Sequence, residues 1–137
     1  MFIKIPLRTE PGESLVDVTE EVNQAVSESG VKEGVCVVYV PHTTAGLTLN
    51  SALDAKTSMD ILDDLNRLVP TRVDFHHQYD TPQDAAGHIK SVLMGSSVMV
   101  IIEEGKLALG GSQSLLFSEF DGPRDRQLWL KMLKGIA

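Results

Sequence analysis

Six consecutive apolar residues, Val35-Cys36-Val37-Val38-Tyr39-Val40, stand between Gly34 and Pro41. The run is too short for a membrane helix and rich in β-branched side chains, so it reads as a strand covered on both faces. Proline cannot donate to a strand ladder, so Pro41 ends it and leaves His42 at the strand's tip. A buried strand needs other elements packed over it, and the rest of the chain must supply them.

The candidates come in irregular order. Ile3, Ile5 and Leu7 alternate with Phe2 and Lys4, which predicts a strand over the first seven residues. Asp17, with Glu20 three positions on, is expected to cap a helix carrying Val18, Val22, Ala25 and Val26 on one face and ending at Gly30. Leu47 and Leu49 suit a short strand. Met59, Leu62, Leu65 and Leu68 recur at helical spacing up to Pro70. Ala85 to Met94 is a weaker helix. Ser97 to Ile102, Leu107 to Leu109, Leu115 to Phe120 and Gln127 to Leu133 are strand candidates, separated by turns at Glu103-Glu104-Gly105-Lys106 and Asp121-Gly122-Pro123. About three helices and seven or more strands, not in strict alternation, exclude a doubly wound sheet. They predict an α+β fold, a β-sandwich with a few surface helices.

At 137 residues the chain is expected to form a single domain, 1–137. Twelve basic against 19 acidic residues give a net charge of −7, which disfavours binding to nucleic-acid phosphates or an anionic membrane. No stretch approaches the ~20 apolar residues of a membrane span. The single cysteine, Cys36, permits no intrachain disulfide and reads as a core residue. The expected location is cytoplasmic.

His42 opens the string His42-Thr43-Thr44-Ala45-Gly46-Leu47-Thr48-Leu49-Asn50, which places an imidazole and two hydroxyls at a sheet rim. His76 and His77 are adjacent, so in an extended segment at most one faces a given site. His88 lies on the weaker helix. Three histidines from separate segments, His42, His88 and one of the adjacent pair, make the donor set of a catalytic zinc site. Arg124 and Arg126, after the Asp121-Gly122-Pro123 turn, are candidates to clamp a phosphate or carboxylate. Lys90 is a further anion-binding candidate. No Walker, GxGxxG or GxSxG pattern is present.

Taken in order, Val40-Pro41-His42-Thr43-Thr44-Ala45-Gly46-Leu47-Thr48-Leu49-Asn50, a histidine eleven residues before Gly87-His88-Ile89-Lys90-Ser91, then Leu93-Met94-Gly95-Ser96-Ser97, Gly105-Lys106-Leu107 and Asp121-Gly122-Pro123-Arg124 resemble the YjbQ-like family, also called the secondary thiamine-phosphate synthase family. The resemblance implies a compact β-sandwich assembled as a homotrimer. It selects His77 over His76. It implies a divalent metal, zinc or else magnesium, on His42, His77 and His88. Thr43, Thr44, Asn50, Asp54 and Gln113 become catalytic candidates, and Lys90 and Arg124 bind substrate phosphate. The implied activity is weak thiamine-phosphate synthesis on small anionic metabolites. The alternatives are a metal-dependent hydrolase of a small anionic metabolite and a non-catalytic trimer that binds a metal or anion. The chain departs from the family pattern at Ser51 and Gln78, where an acid is common, and at Gly111-Ser112, where Thr-Trp is common.

Overall fold

The computed structural model describes residues 2–136. The chain runs through β1 (Phe2–Arg8), β2 (Gly12–Asp17), α1 (Thr19–Ser29), β3 (Gly34–Tyr39), β4 (Ala45–Asn50), α2 (Ala55–Leu68), α3 (Pro82–Met94), β5 (Ser97–Glu103), β6 (Lys106–Leu107), β7 (Ser114–Gly122) and β8 (Asp125–Lys134). One sheet has the order β1-β8-β3-β5-β6 and the other β2-β7-β4, with every pairing antiparallel.

The two sheets share one core. Cys36 and Val38 of β3, Val100 and Ile102 of β5 and Leu128, Leu130 and Met132 of β8 pack in one cluster with Ala45 and Leu47 of β4 and Leu115 and Phe117 of β7. The α+β sandwich expected from the pattern is therefore the fold observed. β3 holds the centre of the larger sheet with both backbone edges paired to β5 and β8, but only one of its faces is buried: Cys36 and Val38 enter the core, whereas Tyr39 on the other face is exposed. Burial of Cys36 pushes its thiol up to about 11, as suits an inert core residue. α1 joins the same core through Val22 and Val26.

Three local expectations change. Asp17 does not cap α1: it is still paired in β2, opposite Leu116, and its side chain accepts from the backbone and hydroxyl of Thr19. The strand β2 itself escapes the sequence pattern, because Leu15 and Val16 are its only large apolar residues and pairing with β7 forms it. α3 begins three residues before Ala85, where Thr81 accepts from the Asp84 amide and Pro82 fills the first turn. The segment 107–109 is strand only as far as Leu107.

α3 lies along the three-stranded sheet. Gly87 makes this approach possible, since a Cβ there would sit 3.3 Å from the Phe120 carbonyl oxygen. Gly46 of β4 is tighter: a Cβ would meet the Gly95 carbonyl oxygen, just past α3, at 2.7 Å. The adjacent Leu47 amide donates to that same oxygen. α2 has the predicted apolar spacing but buries none of its residues, and Met59 and Leu68 are exposed. Among the described residues no helix is long and apolar enough to cross a membrane.

Candidate metal centre

Asp84 and His88 lie four residues apart on α3, one turn above the other on the same face. The Thr81 cap fixes the first turn and with it Asp84, which is buried. From the loop before the helix, His77 reaches the same carboxylate. Its Nε2 lies 3.1 Å from Asp84 Oδ2, and the Nε2 of His88 lies 3.2 Å from that oxygen. The two imidazoles meet edge to face, with centroids 5.1 Å apart. One ligand atom from each of His77, Asp84 and His88 falls within 4.8 Å of the others, which is the disposition a single cation needs.

A second group of acids abuts the first through Asp84. Asp80, Asp84 and Asp121 also bring carboxylate oxygens within 4.8 Å of one another. Arg124 lies against all three: its Nη2 is 2.6 Å from Asp121 Oδ2, 3.4 Å from Asp80 Oδ2 and 3.7 Å from Asp84 Oδ1. Burial, together with the neighbouring Asp84, pushes the Asp121 carboxyl above its usual range in spite of Arg124. Three carboxyl groups stand against one guanidinium, which leaves the site rich in acidic oxygens. Such a site draws in a cation and repels a bare anion.

The residues expected from the sequence fall into four groups. His77 and His88 belong to the cluster. His42 does not join it: its Nε2 accepts a hydrogen bond from the Gln127 amide at 2.8 Å, which fixes the proton on Nδ1 in the neutral ring. Burial, helped by Arg126, lowers its pKa. His42 and Thr43 line a separate hollow of about 410 Å³ that reaches His88. Thr44 is buried behind them, and its hydroxyl accepts from Arg126.

Two of the cationic candidates are not free for an anion. Lys90 faces inward from α3 and is 2% exposed, held by Glu13 at 2.6 Å and Asn66 at 2.5 Å. This ring of polar contacts ties α3 to β2 and α2 and keeps the ammonium buried, out of reach of a phosphate. Arg126 is likewise buried, in a two-pronged pair with Glu119. Arg124 is half-exposed but committed to the acids around it.

Asn50, Asp54 and Gln113 stand apart from the cluster. Ala45 pairs with Glu119 near the Asp121 end of β7, whereas Asn50 pairs with Ser114 at the opposite end. Five strand steps separate the two, about 17 Å. Asn50 accepts from the Ser51 amide, Asp54 caps α2 through the Lys56 amide, and Gln113 accepts from the Gly110 amide. Sequence reasoning missed Asp84, the residue at the middle of the cluster. The signal for it was the Asp84–His88 spacing, which counts only if α3 starts before Ala85.

The family pattern described as UPF0047 protein YjbQ-like matches residues 3–135. The chain belongs to the YjbQ-like family. A UPF0047 protein of Methanocaldococcus jannaschii is 44% identical over 133 residues, spanning 97% of this chain and 94% of its own. The UPF0047 protein YugU of Bacillus subtilis is 36% identical and spans 97% and 99%. Among solved structures, an uncharacterised YjbQ/UPF0047 protein from Clostridium acetobutylicum superposes with a TM-score of 0.90 at 44% identity, covering 96% of this chain and 99% of that one. A hypothetical protein of Aeropyrum pernix gives 0.92 at 32% identity, covering 98% and 99%.

Proposed function

We propose that this YjbQ-like protein is a metal-assisted enzyme acting on a small anionic metabolite, with zinc held by His77, Asp84 and His88. The observation that carries this reading is the single buried carboxylate approached by two imidazole nitrogens at 3.1 and 3.2 Å. Two imidazoles and a carboxylate suit zinc better than magnesium, which prefers oxygen donors and bound water. They also leave coordination positions open. A metal there supplies Lewis acidity toward a phosphate or carboxylate oxygen. Arg124 fixes Asp84 and Asp121 from the opposite side, and cation binding at the cluster offsets the acids that otherwise hold the guanidinium.

The finer reading is thiamine-phosphate synthesis: a pyrimidine diphosphate joins a thiazole phosphate, a C–N bond forms and pyrophosphate leaves. Asn50, Asp54 and Gln113 enter this reading as contributions of a neighbouring copy, since within one chain they lie at the far end of the sheet. A homotrimer is supported by the outer face of the five-stranded sheet. There Phe2, Tyr39, Met99, Ile101 and Leu133 are exposed side by side, an apolar surface that a further copy can cover. The proposed setting is cytoplasmic.

Metal analysis of the purified chain supplied with zinc is the first test. About one zinc per subunit is expected, with loss in Asp84→Asn and His88→Ala. Absence of metal after zinc is supplied overturns the reading. With both organic substrates present, pyrophosphate release marks synthesis. Release from the diphosphate alone marks a hydrolase instead.

A further inference from the structure

His77 and His88 separate the cluster from a second hollow of quite different character. It measures about 450 Å³ and is lined by Arg72, Phe75, Ala85 and Ile89 beside the imidazoles of His76, His77 and His88. The size falls in the range of small-molecule sites. Its floor is apolar and fixed. Phe75 and Ala85 are 7% and 4% exposed and pack with Val69 and Ala86 in a small core of their own. A preformed apolar hollow beside a polar cluster is the usual form of a site that holds one end of a ligand while chemistry occurs at the other.

The charged residue on its wall is already balanced. Arg72 Nε lies 2.8 Å from Asp74 Oδ1, and the guanidinium stacks over the Phe75 ring at 4.1 Å from its centroid. An anionic ligand would have to compete with Asp74, and no carboxylate lines the hollow to receive a cation. His77 and His88 turn their Nε2 atoms away to Asp84. What remains for a ligand is an apolar wall of Phe75, Ala85 and Ile89 and the ring surfaces of the histidines, with the exposed His76 at its side. On the far side of His88 the hydroxyl-lined hollow of Thr43, Ser91 and Ser96 offers hydrogen bonds instead.

We propose that the Phe75–Ala85–Ile89 hollow is a binding subsite for an uncharged, flat apolar group of the substrate, most simply an aromatic ring. The subsite places that group against the imidazoles, with the substrate's polar remainder directed across His88. This deepens the reading of the His77–Asp84–His88 cluster as a reactive centre and rests on it only for the purpose of the ring, since the hollow exists without metal.

The test titrates benzyl alcohol into the full chain, metal-free and zinc-supplied, and follows backbone amides by NMR. Saturable shifts centred on Phe75, Ala85 and Ile89 are expected in both forms. Benzoate, of the same shape but charged, should bind at least about tenfold more weakly. Ile89→Asp, at a half-exposed helix position, should weaken benzyl alcohol by about the same factor, and Ile89→Leu should preserve it. Zinc content should be unchanged in both variants. Shifts that fail to saturate, equal binding of benzoate, or indifference to Ile89→Asp each overturn the subsite. Because the metal-free protein carries the readout, a chain that binds the ring but no zinc defeats the metal reading alone. A chain that binds zinc but no ring defeats the subsite alone.

Discussion

Two arginine–carboxylate groups sit two residues apart on the β7–β8 hairpin, and they have opposite characters. Arg126 and Glu119 are both buried. The guanidinium grips the carboxylate through Nε at 2.8 Å and Nη2 at 2.5 Å, while Thr9 and the Asp121 amide complete the carboxylate's hydrogen bonds. Nothing is left over for a ligand. Arg124 and Asp121 use the same chemistry, but three acids share one guanidinium that is itself half-exposed, and two imidazoles stand nearby. The first group is saturated and the second is not. A closed network fixes the backbone, and an open one can take up a cation, so the dry pair serves as the support on which the wet cluster is built.

The same substitution at both arginines breaks this comparison open. Arg126→Met leaves Glu119 charged and buried without its partner. Its expected cost is about 3–5 kcal/mol, the largest effect anticipated for any single change here. Urea unfolding of the metal-free chain measures it, and a loss below about 1 kcal/mol would show that the pair contributes little. The pair should also carry a pH signature. Hydrogen bonds from Arg126, Thr9 and Asp121 outweigh the burial cost and hold Glu119 below its ordinary 4.5. Its stabilisation is therefore complete above that value and fades as pH falls through the lower folded pKa. Glu119→Gln should remove this acid-side dependence.

Gly46 tests how firmly the cluster's helix is tied to the support. A Cβ at 2.7 Å from the Gly95 carbonyl oxygen meets backbone, which cannot rotate away. Gly46→Ala should cost about 1–3 kcal/mol as β4 and the end of α3 separate. It should also displace His88, so zinc affinity should fall with stability. Gly87→Ala, with contacts at 3.3–3.4 Å, should cost less. Equal effects at the two glycines would mean that α3 shifts freely on the sheet.

The support was far more legible in the sequence than the cluster. A strand such as 35–40 announces itself by side chains that exclude water, and the alternation of Ile3, Ile5 and Leu7 marks a face. These are local signals of what will be buried. β2 escaped because its burial comes from a partner a hundred residues away. The site was legible only in its histidines. Asp84 lies just outside the helix read from the apolar spacing, and only the Thr81 cap brings it into α3, while nothing local distinguishes a lysine destined for Glu13 from one facing solvent. Charged side chains take their roles from what the fold brings opposite them, so Lys90 and Arg126 were open to misreading as ligand-binding groups.

A smaller effect concerns His42, at the junction of the two regions. Burial and then the Arg126 charge lower its pKa below 6.5, and the Glu119 charge only partly opposes them. The folded state thus favours the neutral ring. Its contribution is present above pH 6.5 and is lost as pH falls below that value. The melting-temperature gap between His42→Gln and the parent chain should be widest above about pH 6.5 and should narrow as pH falls towards about 5. A difference that is the same at every pH would assign His42 a packing role alone.

The smallest expected change in stability is Arg124→Met. The guanidinium is 41% exposed and its ion pairs are screened, so removal should cost no more than about 1 kcal/mol. Its value lies in the contrast with Arg126→Met and in the sign of a second readout. Taking one positive charge from among Asp80, Asp84 and Asp121 deepens the negative potential at the histidine cluster. Zinc affinity, measured by competition with a chelating dye, should therefore rise, on the order of tenfold if the charges interact through water-like screening. A fall in affinity would mean that Arg124 acts chiefly by holding Asp84 in place. The unsaturated group would then depend on its arginine for geometry, as the buried group depends on Arg126.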